Sequence, residues 1–348
     1  MNNSQFTDIF LSPLFKEKIK LDEIDKEIHD EIIDLSNWFC MPKQILNNLI
    51  YEKECTYNVI ERLKKQITVS NLKNLINQKE IIKIADIFNK HGIKYVFLKG
   101  SAINLMDGQY VRYSRDIDVI VEKSFLSKAY QLLKKLGYTY RNSFTADDSK
   151  YIKNTNHLPI LTNKEGSFVE IHHRITQSFF YDKCPLAASM LKNFTLVKKN
   201  NVDIRISDLN HLISHITYHA VLHHRFELGP VFLYDIKYLK SLIDNEKDLI
   251  NLLTRTGLEK DYKKIIGYIE NKNKTDIFDI YESVKFKKNI GKFKYLFFNR
   301  DGKFDFFNIN IKKLKRIEDD YQTSKYSVKF YFFLLIEFKN LCLRILKT

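Results

Sequence analysis

The chain has 348 residues, 44% of them hydrophobic, and carries a formal net charge of +15. This length predicts two domains, or one domain with a large helical elaboration. The cysteines are far apart, with no Cys-x-x-Cys spacing, so a zinc ribbon or a disulfide framework is not supported, which fits a reducing cytoplasm; they are Cys40, Cys55, Cys184 and Cys342. With no secretory pattern at the N-terminus and no uncharged apolar run of eighteen residues, we expect a cytoplasmic protein without a spanning helix.

The positive charge has two interpretations. It suits an anionic partner such as nucleic acid, nucleotide phosphates or an acidic membrane surface. However, the lysines are spread along the chain rather than gathered in one block, which is also typical of a solvated basic surface. Polymeric nucleic acid is therefore the less favoured partner.

Changes of hydrophobic periodicity divide the chain into three regions. Residues 1–92 and 201–348 have apolar residues at helical spacing, and residues 93–200 alternate short strand patterns with helical ones. The predicted central elements, in order, are a strand at 95–98, a helix at 102–106, a strand at 116–121, a helix at 125–136 and a hairpin of strands at 158–162 and 168–171. The helices predicted after them cover 211–224, 231–243 and 249–258.

Two carboxylates stand in the strand at 116–121. Side chains alternate faces along a strand, so Asp116 and Asp118 project from the same side, about 7 Å apart. Their repulsion falls if divalent cations lie between them, and Mg²⁺ binds one or two carboxylates together with substrate phosphates. Glu170 lies in another apolar strand; if that strand is adjacent, the three carboxylates could hold two metal ions for nucleotide transfer.

Gly100 and Ser101 end the strand that precedes this one. A Gly-Ser turn before a helix brings backbone N–H groups and a hydroxyl close to a bound triphosphate. An Asp-x-Asp pair alone is most often a pair of exposed surface residues. The order of Gly-Ser, Asp-x-Asp and Glu along the chain favours a metal and nucleotide site much more than any one of these features does alone.

These motifs resemble those of one known family. The segments Leu98-Lys99-Gly100-Ser101, Arg115-Asp116-Ile117-Asp118-Val119-Ile120-Val121 and Val169-Glu170-Ile171-His172 are similar to the signature of bacterial nucleotidyltransferases with a DNA polymerase β-like palm, in the branch with an "LKG…DIDLLV…ELHW" pattern. The resemblance is specific over residues 93–173. It implies an α+β fold, with a palm of mixed sheet and helices flanked by helical N- and C-terminal regions.

The resemblance also implies roles for individual residues. Asp116 and Asp118 would bind Mg²⁺ or Mn²⁺, Glu170 would complete this catalytic site, and Gly100 and Ser101 would hold the phosphates of an NTP. The sequence departs from the branch at His173, where Trp is usual, and in the fourteen residues that separate Ser101 from Asp116. Because the carboxylates are all present, we expect an active enzyme.

Three basic residues are further candidates for nucleotide binding. Lys99 adjoins Gly100, and the guanidinium groups of Arg112 and Arg115 have a geometry that suits phosphate. The alternative for the arginines is an ion pair with a nearby acidic residue.

A row of histidines follows at i, i+4 spacing: His211, His215, His219 and His223. They could bind a metal, line the nucleotide or acceptor pocket, or pack as a hydrogen-bonded helix face. The family resemblance favours the pocket for His215 and His219, and His172 is a third pocket candidate.

The segment 328–346 is apolar but interrupted by charges. It predicts either docking onto the rest of the protein or an interfacial helix in peripheral contact with a membrane.

Two functions remain in competition. The first is metal-dependent transfer of a nucleoside monophosphate from an NTP to an unidentified acceptor, such as a small molecule, sugar, peptide, protein or RNA end. The second is a non-catalytic regulatory module that binds a nucleotide or nucleic acid.

Overall fold

A mixed β-sheet lies at the centre of the fold. The structure is a computed structural model and describes residues 7–15, 17–50, 57–106, 112–140, 156–175, 186–223 and 229–271. Within these ranges helices precede, flank and follow the sheet. The predicted α+β class, with a mixed sheet between helical regions, is therefore confirmed.

The helices are distributed along the whole described chain. They are α1 (His29–Trp38), α2 (Pro42–Leu46), α3 (Tyr57–Lys90), α4 (Lys99–Ile103), α5 (Leu126–Lys135), α6 (Leu186–Lys192), α7 (Leu209–Tyr218), α8 (Val231–Lys240), α9 (Lys247–Thr256) and α10 (Glu259–Asn271). Short 3₁₀ turns cover Ser12–Phe15, Leu21–Glu23, Lys26–Ile28 and Lys123–Phe125, and single π-helical turns cover Thr7–Leu11 and His219–His223.

The strands form two sheets. In chain order they are β1 (Ile19–Lys20), β2 (Leu49–Ile50), β3 (Tyr95–Phe97), β4 (Ile117–Val121), β5 (Thr139–Tyr140), β6 (Leu161–Thr162), β7 (Phe168–His172), β8 (Phe194–Lys199) and β9 (Val202–Ser207). Strands β1 and β2 pair with each other, and the central sheet has the order β5-β6-β7-β4-β3-β9-β8.

Strand β4 lies in the middle of the central sheet. It is antiparallel to β3 and parallel to β7, and all five of its residues are buried. The pairing of β4 with β7 sets Ile117 opposite Val169, Asp118 opposite Glu170, Val119 opposite Ile171 and Ile120 opposite His172. Because faces alternate along each strand, Asp118 emerges on the same side of the sheet as Glu170 and His172, whereas Ile117, Val119, Val169 and Ile171 face the other side.

The hairpin of β8 and β9 was not predicted. Its residues alternate faces as a strand requires, but β8 is a lysine-rich edge strand whose Leu196 is exposed, so its hydrophobic pattern is weak. Strand β9 pairs with β3, so the sheet ends at Ser207, after the boundary predicted near residue 200. The division into regions 1–92, 93–200 and 201–348 stays a prediction.

Helix α3 positions the loop that leads into β4. Its buried Asn74 and Asn77 donate hydrogen bonds to the carbonyls of Arg112 (3.2 Å) and Ser114 (3.3 Å). The side chain of Asn77 also accepts from the hydroxyl of Ser167, just before β7. One helix therefore fixes the approaches to both carboxylate-bearing strands.

None of the helices that the structure describes is long and apolar enough to cross a membrane. The segment 328–346 lies outside the described residues, and its proposed docking or membrane contact stays a prediction.

Candidate metal and nucleotide site

Strands β4 and β7 bring the predicted acidic residues together. Asp118 and Glu170 are direct partners across the parallel pair, and Asp116 lies just before β4. His172 follows Glu170 by two residues, on the same strand face. The adjacency that the sequence could only assume is therefore present in the sheet.

Asp118 is at the centre of the site. Its Oδ1 atom lies 2.8 Å from Lys99 Nζ and 2.9 Å from His172 Nε2, and the residue is 1% exposed. Burial alone would raise the pKa of Asp118, but the charge of Lys99 and the hydrogen bond from His172 outweigh it and lower the pKa. Asp118 is thus an ionised carboxylate shielded from water.

The pKa of Asp116 is shifted in the opposite direction. Burial and the nearby charge of Asp118 raise its pKa to about 6. The hydroxyl of Ser114 lies 3.4 Å from Asp116 Oδ1 and donates to its backbone carbonyl at 2.8 Å. The pKa values of the two neighbouring carboxylates thus move in opposite directions, because burial favours a proton on Asp116 whereas Lys99 and His172 keep Asp118 ionised.

Lys99 is the internal cation of this cluster. Its pKa would be lowered by burial, but the charges of Asp118, Asp116 and Glu170 raise it. The backbone of Lys99 has a φ of +47°, an unusual value for a residue other than glycine, and it turns the chain from β3 into α4. In this structure the ammonium group binds carboxylate, while its predicted role in binding nucleotide stays a proposal.

Gly100 and Ser101 pack α4 against the start of β4. A Cβ atom at residue 100 would lie 2.8 Å from Ser114 Oγ and 2.9 Å from Ser114 Cβ, so only glycine fits. Ser101 Oγ accepts a hydrogen bond from the backbone N–H of Asp118 at 3.3 Å. Because it accepts in this bond, the hydroxyl keeps a proton that it can donate to another group.

Arg112 is held in one conformation from several sides. Asn104 donates to its carbonyl at 2.6 Å and accepts from its N–H at 3.0 Å. Its guanidinium donates to Asp235 Oδ2 on α8 at 3.3 Å and to the carbonyl of Tyr113. The charge of Arg112 opposes the rise in the pKa of Asp116, so the fixed guanidinium lies near the carboxylates.

The side chain of Arg115 contacts the end of α1. It is exposed, and its guanidinium donates to the carbonyls of Asn37 (3.1 Å) and Trp38 (2.7 Å) at the end of α1. Its Cζ atom lies 4.7 Å from the centre of the Trp38 ring, a cation–π contact. The structure therefore does not bring Arg115 into the carboxylate cluster, and its predicted contact with phosphate is not part of the site described here.

The histidine row separates into different environments. His211 lies in the first turn of α7, where Asp208 caps the helix by accepting a hydrogen bond from the His211 backbone N–H; the His211 ring has Nδ1 at 2.6 Å from Asp208 Oδ2 and Nε2 at 2.7 Å from Ser189 Oγ. His215 is 2% exposed, and burial together with the charges of Lys99 and His172 lowers its pKa well below the usual value. The imidazole of His215 is therefore neutral and near the site.

His219 stands beside His215, with ring centres 6.0 Å apart, but it belongs to the π-helical turn that follows α7. The side chain of His223 lies outside the described residues. The four histidines therefore do not continue as one row on a regular helix.

One group among the described residues has the geometry of a metal site. One ligand atom from each of Asp118, Glu170 and His172 can lie within 4.8 Å of the other two. The sequence pattern predicts His172 as a pocket residue and assigns no site role to Ser114 or Asp235. For His172 the signal was present, because its spacing of two from Glu170 puts both on one strand face.

Comparisons with known proteins identify a family. Residues 45–271 match the family described as uncharacterised nucleotidyltransferases. Among curated proteins, cytoadherence-linked asexual proteins 3.1 and 3.2 of Plasmodium falciparum are each 26% identical over 243 residues, covering 52% of this chain. The chain spans only 17% and 16% of the length of these relatives.

Two solved structures are similar in part. The lincomycin-bound lincosamide antibiotic adenylyltransferase LnuA has 18% identity and a TM-score of 0.32, covering 47% of this chain and 97% of its own. ANT(2")-Ia in complex with adenylyl-2"-tobramycin has 13% identity and a TM-score of 0.36, covering 53% and 98%. At such scores the family match, rather than these structures, identifies the chain.

Proposed function

Since this chain belongs to the family of uncharacterised nucleotidyltransferases, we propose that it is a metal-dependent enzyme that transfers a nucleoside monophosphate from an NTP to an acceptor. The acceptor's oxygen, or another nucleophile, loses its proton to solvent and forms a bond to the α-phosphorus, while the bond from that phosphorus to the oxygen bridging to the β-phosphate breaks and pyrophosphate leaves. The observation that carries the proposal is the parallel pairing that places Asp118 opposite Glu170.

The donor set fits a divalent ion. Asp118 and Glu170 offer carboxylate oxygens within 4.8 Å of each other, and Asp116 lies close enough that, after burial, the charges of these two carboxylates raise its pKa. When bound, Mg²⁺ or Mn²⁺ supplies charge neutralisation for the triphosphate and lowers the pKa of an attacking hydroxyl.

The remaining residues act on the substrate. The fixed guanidinium of Arg112 is proposed to bind a triphosphate oxygen, and Ser101 to donate its hydroxyl proton to a phosphate. Gly100 allows α4 to approach the loop before β4 closely. His215, buried and neutral, is proposed to line the pocket together with His219.

The test is transfer itself. The full chain is incubated with Mg²⁺, each radiolabelled NTP and a cell extract, and pyrophosphate release and products with an added nucleoside monophosphate are measured. We expect Asp116→Asn and Asp118→Asn to reduce transfer by roughly 100-fold or more. Asp86→Asn, which removes an exposed ion pair with Lys90, is the matched control. Transfer that persists in both site variants would exclude the mechanism.

A regulatory binding module is the second candidate, and the net charge of +15 favours it. It predicts binding of RNA or DNA that weakens steeply with added salt and no metal-dependent nucleotide transfer. The two assays therefore separate the candidates.

A further inference from the structure

The imidazole of His172 lies between the carboxylates of neighbouring strands. Its Nε2 atom is 2.9 Å from Asp118 Oδ1 and 3.4 Å from Glu170 Oε2. The side chain of His172 is 6% exposed and that of Asp118 is 2% exposed. One nitrogen and two oxygen donors therefore converge at a place largely closed to water.

These separations match the spacing of atoms around a metal ion. Ligands about 2.1 Å from a divalent transition metal are roughly 3 Å apart at adjacent octahedral positions and roughly 3.4 Å apart in a tetrahedron. The distances of 2.9 and 3.4 Å fall on these values, and the strands already place the three donors within 4.8 Å of one another. To bind one ion, His172 Nε2 gives up the proton that it shares with the carboxylates, and Lys99 Nζ, 2.8 Å from Asp118 Oδ1, moves off that oxygen.

The strands themselves hold His172 in this position. It shares a face with Glu170 through the period of two, and the register with β4 places that face beside Asp118. On its outer side, His157 pairs with the backbone of His172, and the two rings meet edge to face at 5.5 Å. The histidine is thus part of the sheet and does not depend on a loop for its placement.

We propose that His172 is a metal ligand, and that with Asp118 and Glu170 it forms a mixed nitrogen–oxygen site that prefers a divalent transition metal such as Mn²⁺ to Mg²⁺. The inference rests on the proposed function for the presence of a divalent ion at these carboxylates. The preference follows from the donor, because Mg²⁺ favours oxygen ligands whereas imidazole binds the transition metals more strongly.

The probe is Mn²⁺ alone, titrated into the full-length protein and followed by electron paramagnetic resonance. Pulsed spectra should show a directly coordinated ¹⁴N nucleus in the wild type, which changes to a ¹⁵N coupling when the protein contains ¹⁵N-labelled histidine. We expect His172→Gln to remove this coupling and to weaken Mn²⁺ binding about tenfold or more, while Mg²⁺ displaces Mn²⁺ from the wild type only at roughly tenfold or greater excess.

His157→Gln is the matched control, because His157 adjoins His172 but its Nδ1 lies 2.7 Å from the carbonyl oxygen of Leu158. It should keep the nitrogen coupling. Bound Mn²⁺ without a nitrogen coupling, a coupling retained in His172→Gln, or no Mn²⁺ binding would each overturn the proposal. If His172→Gln does not fold, a nitrogen coupling that is retained in both His157→Gln and His215→Leu supports His172, and a wild-type spectrum without the coupling overturns the proposal.

Nucleotide transfer in Mg²⁺ is measured separately. A nitrogen-coupled Mn²⁺ site in a protein without transfer activity would contradict the proposed function alone. Transfer by a protein whose bound Mn²⁺ has no nitrogen ligand would contradict the role of His172 alone.

Discussion

The ammonium group of Lys99 lies 2.8 Å from Asp118 Oδ1, and this ion pair is buried at the join between β3, α4 and β4. The side chains are 15% and 2% exposed. An ion pair in such surroundings adds little net stability compared with apolar residues, but removing one partner leaves a buried charge without compensation. Lys99 therefore maintains the site electrostatically in the absence of a bound ion.

Lys99→Met should destabilise the protein without metal by about 3 kcal/mol, because Asp118 loses its counter-charge. The measurement is urea unfolding in the presence of a chelator. The double variant Lys99→Met with Asp118→Asn should recover most of the loss, since it buries no unpaired charge. Equal stability of the single and double variants would show that the ion pair is not the cause.

Asp116 predicts a pH dependence of stability. Its pKa rises from 3.8 unfolded to about 6 folded, so the folded state binds more protons between these values, and stability falls as the pH rises from about 4 to about 6. Without metal, Asp116→Asn should be more stable than the wild type at pH 8, by on the order of 2 kcal/mol, and nearly equal at pH 4. Denaturant unfolding at both values measures this, and a pH-independent difference would contradict it.

Gly100→Ala should cost about 2 kcal/mol of folding stability, because the added methyl group would lie within 3 Å of Ser114 Oγ and Cβ. Ser114→Gly removes both of these atoms. In the Ser114→Gly background, Gly100→Ala should cost at least about 1 kcal/mol less folding stability than it does in the wild type. A double-mutant cycle by thermal unfolding tests this, and additive effects would place the strain elsewhere.

Asp235→Asn should weaken the contact that positions the Arg112 guanidinium. We expect it to raise the KM for NTP about tenfold, with a smaller change in kcat. Arg112→Lys should have a similar effect, because lysine cannot reproduce the guanidinium geometry. The double variant should be no worse than either single variant if both act through one contact with phosphate. Steady-state kinetics on folded protein test this, and fully additive losses would separate the two residues.

His215→Leu tests whether a buried histidine is kept for function. His215 Nδ1 is buried without a hydrogen-bond partner in the described part of the chain, which costs stability. The leucine variant should unfold at the same or higher urea concentration while its transfer activity falls. A parallel loss of stability and activity would instead indicate a purely structural role.

The sequence predicted those parts of the site that depend on local periodicity. The alternation of strand side chains predicts that Asp116 and Asp118 share one strand face. Glu170 joins them only through the pairing of β4 with β7, which the sequence analysis had to assume. The spacing of two residues between Glu170 and His172 likewise places these two side chains on one strand face.

Other parts of the site depend on tertiary structure. The left-handed turn at Lys99 sends its ammonium back to Asp118 instead of outward, and no periodicity encodes such a turn. The contact of Arg112 with Asp235 joins residues 123 positions apart, so it depends on how α8 packs. Arg115 was expected near phosphate, but the carbonyls at the end of α1 hold it.

These sequence separations suggest an order of assembly. The chain closes a loop of 19 residues to join Lys99 to Asp118, 54 to join His172 to Asp118, and 123 to join Arg112 to Asp235. The hydrogen bond from Tyr234 Oη to the carbonyl of Phe10 spans 224. Each doubling of loop length costs roughly 0.6 kcal/mol more in chain entropy. Of these contacts, those within the carboxylate cluster therefore have the lower entropic cost of closure, and the contact of Arg112 with Asp235 forms only after α8 has been synthesised and has docked.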